Sequence, residues 1–282
     1  MSEASTSRSW DGFLLAARIF WKKQLGRFKM RRRDSRQAIH AFEYRVFSQH
    51  REDGIIDYLL DLVGVKNATF VEFGFWADEC NCLNLVLNRN FSGLFMDGSA
   101  ENCNRAKDAY AWLGKSSVSV VNSFLTAENI NLLITANGIS GEIDVLSVDV
   151  DGNDYWLWSA IDVVNPRIVV VEYNATFGPE KSITVPYDPG FVRYDKHPSG
   201  FYHGASLMAL TRLGSQKGYS LVGCDYTGVN AFFVRKDLLT PNLDVLTVAQ
   251  AYMENRGRVK YKGISTTDQF KAVEDQSFVE IQ

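Results

Sequence analysis

The 282-residue sequence has few cysteines, no long apolar run and little net charge, and each shortage excludes a class of protein. Its four cysteines follow no common zinc-binding spacing, which favours free thiols in a reducing cytoplasm. The uncharged run from Phe13 to Ala17 is too short to span a bilayer, and no signal-peptide cleavage pattern follows it. A net charge of −3 does not indicate a nucleic-acid-binding protein. We therefore expect a cytoplasmic globular protein.

Positive charge is concentrated in residues 1–36, which carry ten Lys or Arg against three acidic residues, a net charge of +7. Apolar residues recur there at roughly helical spacing and predict a basic amphipathic helix. They are Trp10, Phe13, Leu14, Ala17, Phe20, Trp21, Leu25 and Phe28. Residues 10–33 would then lie on an anionic membrane surface, pack on a partner or act as a targeting peptide. The simpler alternative is a helix docked on the body by its aromatic stripe.

After this extension, strand and helix patterns alternate up to residue 236. Strands are predicted at 69–73, 92–97, 116–121, 143–149 and 167–173. Helices are predicted at 38–63, with an interruption at Ser48 and Gln49, and at 81–89, 100–112, 126–136 and 154–162. Alternation of this kind is typical of a parallel sheet covered by helices on both faces. Two further strands, 219–224 and 230–235, are separated by the turn DYTG and predict an antiparallel hairpin. The predicted fold is α/β, with a doubly wound, seven-stranded, mostly parallel sheet.

Two other segments do not follow this alternation of strands and helices. Residues 175–202 are rich in Gly, Pro and aromatic side chains, and a loop of this length is usually a lid or a binding loop. Its residues Tyr187, Tyr194, Phe201 and Tyr202 would either stack on a sugar ring or fold the lid onto the body. A helix is predicted at 203–215. Residues 237–282 are polar and unpatterned, so a peripheral tail is expected outside a domain of residues 37–236.

Polar residues follow the five predicted parallel strands, at the edge where doubly wound sheets bind their ligands. Asp97 comes 23 positions after Gly74, where a carboxylate can take the two ribose hydroxyls of an adenosine cofactor. The phosphate-cradling glycines of a dinucleotide site are missing, and Glu72 would repel a phosphate. These features favour a cofactor with a positive centre and no phosphate, such as S-adenosyl-L-methionine (SAM). The alternative is a turn glycine at 74 and a helix cap at 97.

The stretch from Asp149 to Asp154, DVDGND, is rich in oxygen ligands. Asp149, Asp151 and Asn153 match the first three ligand positions of an EF-hand loop. Asp154 stands where that loop needs glycine, and Ala160 stands where it needs glutamate, so an EF-hand is excluded. The simplest alternative has Asp151 and Asn153 turning the chain and Asp154 capping the next helix.

Two chemical alternatives remain at the ends of the fourth and fifth strands. One is a site for Mg²⁺ or another divalent cation, because hard oxygen ligands meet there, namely Asp149, Asp151, Glu172 and Asn174. The other is a metal-free site in which Asp149, Asp151 or His203 is the general base for a hydroxyl.

Ordered blocks within residues 48–236 resemble FkbM-type SAM-dependent methyltransferases. They are VEFG at 71–74, GLFMDGS at 93–99, FLTAENINLL at 124–133, DVLSVDVDGNDYW at 144–156, VVVEYNATFGP at 169–179 and YHGASL at 202–207. The resemblance implies a SAM-dependent O-methyltransferase acting on a hydroxyl of a saccharide, glycan or glycosylated metabolite. The alternative is a non-catalytic module of the same fold that binds a glycan or a partner.

The resemblance also implies roles for single residues. Glu72 and Gly74 would flank the methionine part of SAM, and Asp97, with Gly98 and Ser99 beside it, would hold the ribose. Ser123 or Phe124 would border the adenine, and Asp149 would begin the active-site loop. The chain departs from the family where a glycine-rich continuation usually follows the first strand, because FWADECN stands there.

Overall fold

The computed structural model describes residues 3–29 and 38–282. Its strands are β1 Thr69–Phe73, β2 Ser92–Asp97, β3 Val118–Asn122, β4 Gly141–Val148, β5 Val164–Glu172, β6 Ile183–Thr184, β7 Tyr219–Cys224, β8 Asn230–Arg235 and β9 Val279–Glu280. Seven of them form one sheet in the order β3-β2-β1-β4-β5-β8-β7. Strands β1 to β5 pair in parallel, and β8 is antiparallel to both β5 and β7. The predicted fold class, with its antiparallel C-terminal hairpin, is confirmed.

Helices cover both faces of the sheet. They are α1 Glu3–Lys29, α2 Glu52–Val63, α3 Leu83–Asn88, α4 Ala100–Trp112, α5 Ile130–Ala136, α6 Asp154–Ala160, α7 Arg193–Lys196, α8 Leu207–Gln216, α9 Val248–Ala251 and α10 Thr266–Lys271. The first core joins the sheet to α1–α4, and the second joins it to α5, α6, α8 and α9. Side chains of β1 alternate between them, with Phe70 in the first core and Val71 in the second.

The helical pattern predicted over 38–63 is wrong before its predicted interruption at Ser48 and Gln49 and is confirmed after it. A short 3₁₀ helix spans Ile39–Phe42, and α2 begins only at Glu52, after Arg51 in the left-handed conformation (φ 78°). The carboxylate of Asp53 accepts main-chain N–H groups of Val46 (2.7 Å), Phe47 (2.9 Å) and Ser48 (2.8 Å). These bonds hold residues 46–48 in a loop because they take N–H groups that a helix would use.

The helix predicted at 203–215 begins later, at Leu207. Ser206 is its N-cap and accepts the N–H of Ala209 (3.1 Å), while Gly204 has a positive φ of 59°. His203 therefore precedes α8 in a loop and does not open the helix.

The predicted lid and the C-terminal segment are joined to each other. Strand β6 of the lid pairs antiparallel with β9, and the buried Tyr202 donates its hydroxyl to the carbonyl of Ser277 (2.5 Å). Val185, Phe191 and Tyr202 of the lid pack with Val273 in a small core of their own. Residues 237–282 thus contain ordered elements where an unpatterned tail was expected, although the domain boundaries at 36 and 236 stay predictions.

Helix α1 docks on the body, mainly along α4. Leu15, Ala16 and Ile19 are buried in the first core, and the ammonium of Lys22 donates to the carbonyl of Asp78 (3.0 Å). The helix is therefore docked, but through an aliphatic face and not through the predicted aromatic stripe. Residues 30–36 of the predicted extension lie outside the described residues. Within residues 3–29 and 38–282, no helix is both long and apolar enough to cross a membrane.

Strands β1 and β4 approach most closely at Gly74, one residue beyond β1. Gly74 has a φ of 67°, and a Cβ added there would lie 1.4 Å from the carbonyl oxygen of Asp149. Only glycine fits this position, because any side chain would overlap the main chain of the neighbouring strand end.

We predict that Gly74→Ala destabilises the protein far more than Gly114→Ala. Gly114 has nearly the same φ, 66°, but no atom lies within 4 Å of an added Cβ. Its substitution therefore measures the cost of the backbone conformation alone. Gly114→Ala should lose about 1 kcal/mol of unfolding free energy. Gly74→Ala should lose roughly 3 kcal/mol or more beyond that, or yield no folded protein. Urea denaturation measures both, and equal losses would contradict the steric account.

Candidate functional site

A cavity of about 850 Å³ opens at the carboxyl ends of β1, β2, β4 and β5. Gly74, Asp97, Asp149 and Glu172 follow or end those strands and line it. Strand order reverses between β1 and β4, since β2 and β3 lie to one side and β5 to the other. This is the place where doubly wound sheets bind ligands, and the volume is typical of a small-molecule site.

The structure brings most of the predicted site residues to this cavity. Those that line it are Glu72, Gly74, Asp97, Gly98, Ser99, Phe124, Asp149, Asp151 and Glu172. Ser123, Asn174 and His203 are described but do not line it. The main-chain N–H of Ser123 donates to the carbonyl of Asp97 (3.1 Å). Asn174 and His203 are buried beside the end of β5.

Glu72 is a buried anchor for the loop that follows β1. Its two carboxylate oxygens accept the main-chain N–H groups of Asn81 (2.7 Å) and Cys82 (2.8 Å). Desolvation raises the pKa of Glu72 to about 7. The side chain of Asn102 holds the same loop by accepting the N–H of Ala77 (2.9 Å). Glu72 thus shapes the cavity wall with both of its oxygens already engaged.

The FWADECN loop leaves the cavity open. Phe75 is buried and packs against Phe95, with 4.8 Å between ring centroids. Trp76 and Glu79 exchange two main-chain hydrogen bonds of 3.1 Å, which form a tight turn. The Trp76 ring is 63% exposed on the cavity wall, so neither aromatic side chain fills the interior.

Asp97 and Phe124 form the cavity wall at the ends of β2 and β3. Asp97 is half-buried, its Oδ1 accepts the N–H of Ser99 (2.7 Å), and burial raises its pKa. The ring of Phe124 is 50% exposed, and a Cβ added at Gly98 would lie 3.6 Å from it. A carboxylate and an open aromatic ring therefore lie side by side.

Carboxyl groups cluster on the floor of the cavity. Oxygens of Asp149, Asp154 and Glu172 all lie within 4.8 Å of one another. Desolvation, followed by the charge of Glu172, raises the pKa of Asp149 well above its usual range. Desolvation, followed by the charges of Asp151 and Asp154, raises the pKa of Glu172 to about 8. The Oε2 atom of Glu172 has no hydrogen-bond partner among the described residues.

Asp154 and Asp151 have structural partners. The carboxylate of Asp154 accepts the N–H groups of Val150 (2.8 Å) and Gly152 (3.0 Å). It therefore fastens the loop before α6, while the N-cap position belongs to Asn153. Asp151 has a positive φ of 56°, turns the chain as predicted, and forms an ion pair with Arg193 of the lid.

His203 contacts the floor from behind Glu172. Its Nε2 lies 3.2 Å from a guanidinium nitrogen of Arg258, which can only donate, so Nε2 accepts and Nδ1 carries the proton. Nδ1 lies 3.6 Å from Oε2 of Glu172. Desolvation and the charges of Arg193 and Arg258 lower the pKa of His203 well below its usual value. A neutral His203 can thus orient Glu172, but it does not reach the cavity itself.

Two arginines at the site carry no recognisable sequence motif. Arg193 lies in the lid, and Arg258 lies in the segment expected to be a peripheral tail. Arg258 donates to the hydroxyl of Thr176 (2.8 Å) and lies 3.4 Å from Oδ1 of Asn174. The Nδ2 group of Asn174 donates to the carbonyl of His203 (2.9 Å). Long-range folding alone places these cations beside the carboxyl cluster.

Comparisons of the sequence give no relative: no model of a known protein family matches it. No curated protein matches it either. Among solved structures, the N-terminal domain of EvdMO1 with SAH bound is 13% identical, with a TM-score of 0.41 over 66% of this chain and 80% of that chain. An O-methyltransferase from Bacillus cereus in complex with SAH is 12% identical, with a TM-score of 0.43 over 77% and 89%. PKMT2 from Rickettsia typhi in complex with AdoHcy is 10% identical, with a TM-score of 0.47 over 72% and 56%.

Several residues of the predicted cation site have protein partners in this structure. Oδ1 of Asn174 accepts the N–H of Thr176 (3.1 Å) and faces a guanidinium. Asp151 is paired with Arg193, and the oxygens of Asp154 accept main-chain N–H groups. Two groups of ligand atoms lie within 4.8 Å of one another, Asp149–Asp154–Glu172 and Asp151–Glu172–His203. Each group includes a side chain with a protein partner, and the cation site stays a prediction. The guanidinium groups already supply positive charge here.

We predict that the ligand-free protein loses stability as pH rises through the neutral range. The pKa of Glu172 is about 8 in the folded state against an ordinary value of 4.5, so the folded state binds its proton more tightly. Its contribution is therefore fully present below pH 4.5 and is lost by about pH 8, at no more than about 1.4 kcal/mol per pH unit.

Glu172→Gln should reduce the loss of stability with rising pH, because it removes the buried charge and keeps the shape of the side chain. Urea denaturation between pH 5 and pH 8 measures the effect. Glu101→Gln, which changes an exposed carboxyl on α4, is the control and should keep the parent's slope. Equal slopes for Glu172→Gln and the parent would contradict the prediction.

Proposed function

We propose that the protein is a SAM-dependent O-methyltransferase that acts on a hydroxyl of a saccharide, glycan or glycosylated metabolite. The observation that carries this proposal is that two groups lie on either side of the point where strand order reverses. One is Asp97 beside the open Phe124 ring, and the other is the Asp149–Glu172 carboxyl pair. Both groups line one open cavity. The FkbM-type resemblance assigns the same residues to cofactor and active site.

The residues on the cavity wall suit the chemical groups of SAM. Asp97 accepts hydrogen bonds from the ribose hydroxyls, and the exposed ring of Phe124 packs on the adenine. The main chain at Gly74 and the loop held by Glu72 surround the methionine part. When bound, SAM supplies an electrophilic methyl group on a positively charged sulfur. The acidic floor favours that charge, and the absence of a glycine-rich phosphate loop disfavours a dinucleotide.

Asp149 is the group we assign as general base. It lines the cavity, and burial beside Glu172 raises its pKa and so increases its affinity for the proton of an acceptor hydroxyl. The positive sulfur of bound SAM favours the ionised form of Asp149, which can then accept that proton. The Nδ1 atom of the neutral His203 lies 3.6 Å from Oε2 of Glu172, and we assign His203 as a positioning residue.

Exposed aromatic rings from separate segments provide an acceptor platform. Trp76, Tyr226 and Tyr261 line the cavity and are 63%, 43% and 80% exposed, and the guanidinium of Arg256 lies 3.8 Å from the Tyr226 ring centroid. Open ring faces of this kind suit the apolar face of a sugar ring. The lid aromatics predicted for this role, Tyr187, Tyr194, Phe201 and Tyr202, do not line the cavity.

The alternative, a non-catalytic module, requires a cavity blocked by Phe75 or Trp76. Phe75 is packed into the first core, and Trp76 extends along the cavity wall. This arrangement favours the enzyme over the binding module.

We predict that Asp97→Asn weakens SAM binding, measured by titration calorimetry. Loss of a charge-assisted hydrogen bond to the ribose should cost about 1.5–3 kcal/mol, or roughly 10- to 100-fold in Kd. Glu101→Gln, an exposed acid four residues along the chain, is the matched control and should bind like the parent. Absence of SAM binding by the parent protein would overturn the proposed function.

We predict that Asp149→Asn slows methyl transfer from labelled SAM to saccharide acceptors by about 10²- to 10⁴-fold, with a much smaller effect on SAM affinity. The asparagine keeps the shape but cannot take the proton. Chelation by EDTA should leave the rate of the parent unchanged. A rate that requires added Mg²⁺ would contradict the metal-free mechanism.

A further inference from the structure

The face of α1 that points away from the body is apolar and aromatic. Trp10, Leu14 and Trp21 follow helical spacing along it and are 65%, 61% and 72% exposed. Phe13 and Phe20 flank them at 43% and 49%. Large apolar side chains rarely gather on a surface unless a partner covers them.

This outer face is not needed for docking. The opposite face of α1 already buries Leu15, Ala16 and Ile19 in the first core. Gly12 lies so close to α4 that an added Cβ would be 2.8 Å from the Cβ of Asp108. Helix α1 therefore has two apolar faces, of which the fold uses one.

The exposed aromatic surface extends from α1 onto α4. Trp112 is 57% exposed and forms an edge-to-face contact with Phe13, with 5.5 Å between ring centroids. Phe13 in turn contacts Trp10 at 6.0 Å. These rings form a continuous patch that two elements of the fold hold in place.

Charge indicates which partner covers the patch. Residues 1–36 carry a net charge of +7, whereas the whole chain carries −3 and the rest of it therefore −10, so the segment that bears the aromatic face differs from the rest in the sign of its net charge. A segment that combines tryptophan and phenylalanine with lysine and arginine has the composition of helices that lie in a membrane interface. Each basic residue near an anionic surface strengthens the attraction to it.

We propose that this patch, formed by Trp10, Phe13, Leu14, Phe20, Trp21 and Trp112, inserts into the headgroup region of an anionic lipid bilayer. The helix lies in the plane of the interface, with its aliphatic face still docked on the body. The net positive charge of residues 1–36 attracts the anionic surface, while Arg18 and Lys22 stay paired with Asp78. This inference does not depend on the proposed reaction.

Vesicle sedimentation of the full-length protein tests the proposal. The parent should sediment with vesicles of phosphatidylcholine and phosphatidylserine, bind pure phosphatidylcholine much less, and be released by high salt. The double variant W10S/W21S should lose roughly tenfold or more in binding, because it removes two exposed rings. Its thermal unfolding should match the parent's, since neither side chain is part of the core.

The matched control is L132S/Y194S, which removes two side chains that are 69% and 68% exposed on other parts of the molecule. It should bind vesicles like the parent. Equal binding by W10S/W21S and the parent, or equal binding to neutral and anionic vesicles, would overturn the proposal. So would a parent dimer that W10S/W21S converts to a monomer, because a second copy of the chain would then cover the patch.

Discussion

Buried carboxylates that accept main-chain N–H groups hold the loops around this sheet. The residues that do so are Asp53, Glu72, Asp144, Asp154 and Asp225. Asp144 binds the N–H groups of residues 66, 67 and 69 at 2.6, 3.0 and 3.1 Å, and it fastens the loop before β1. Removing such charges from water is costly, and several charge-assisted hydrogen bonds offset that cost at each residue. The loop conformations, and with them the cavity, depend on these anchors.

The acids of the site have fewer hydrogen bonds than these anchors to offset the cost of removing them from water. Asp149 and Glu172 lie together on the cavity floor with raised pKa values, and one oxygen of Glu172 has no partner among the described residues. Partial compensation comes from Arg193 and Arg258, which the lid and the C-terminal segment contribute. The sheet therefore supplies the carboxyl groups, while arginines from the segments after β5 change the pKa values of those groups.

Helix α1 is connected to the cavity through one loop. Lys22 contacts Asp78, and the neighbouring residues Trp76 and Glu79 line the cavity wall. The aliphatic face of the helix stabilises the body, and its aromatic face stays open. The amphipathic pattern of this segment therefore provides one apolar face that packs on the core and a second that stays exposed, whereas a single hydrophobic stripe predicts only one apolar face.

The central strands and the acids at their ends could be predicted from the amino-acid sequence, because β-branched runs and strand-end polar residues are local features. Strands β1, β2, β7 and β8 match their predicted ranges, and Asp97, Asp149 and Glu172 reach the cavity. Tertiary contacts determine that residues 43–47 form a loop and not a helix, that Asp154 fastens the chain before it, and that Arg258 joins the site. These outcomes depend on hydrogen bonds and ion pairs between buried charged groups and partners that are distant in sequence or do not follow helical spacing. No local periodicity of the sequence predicts such partners.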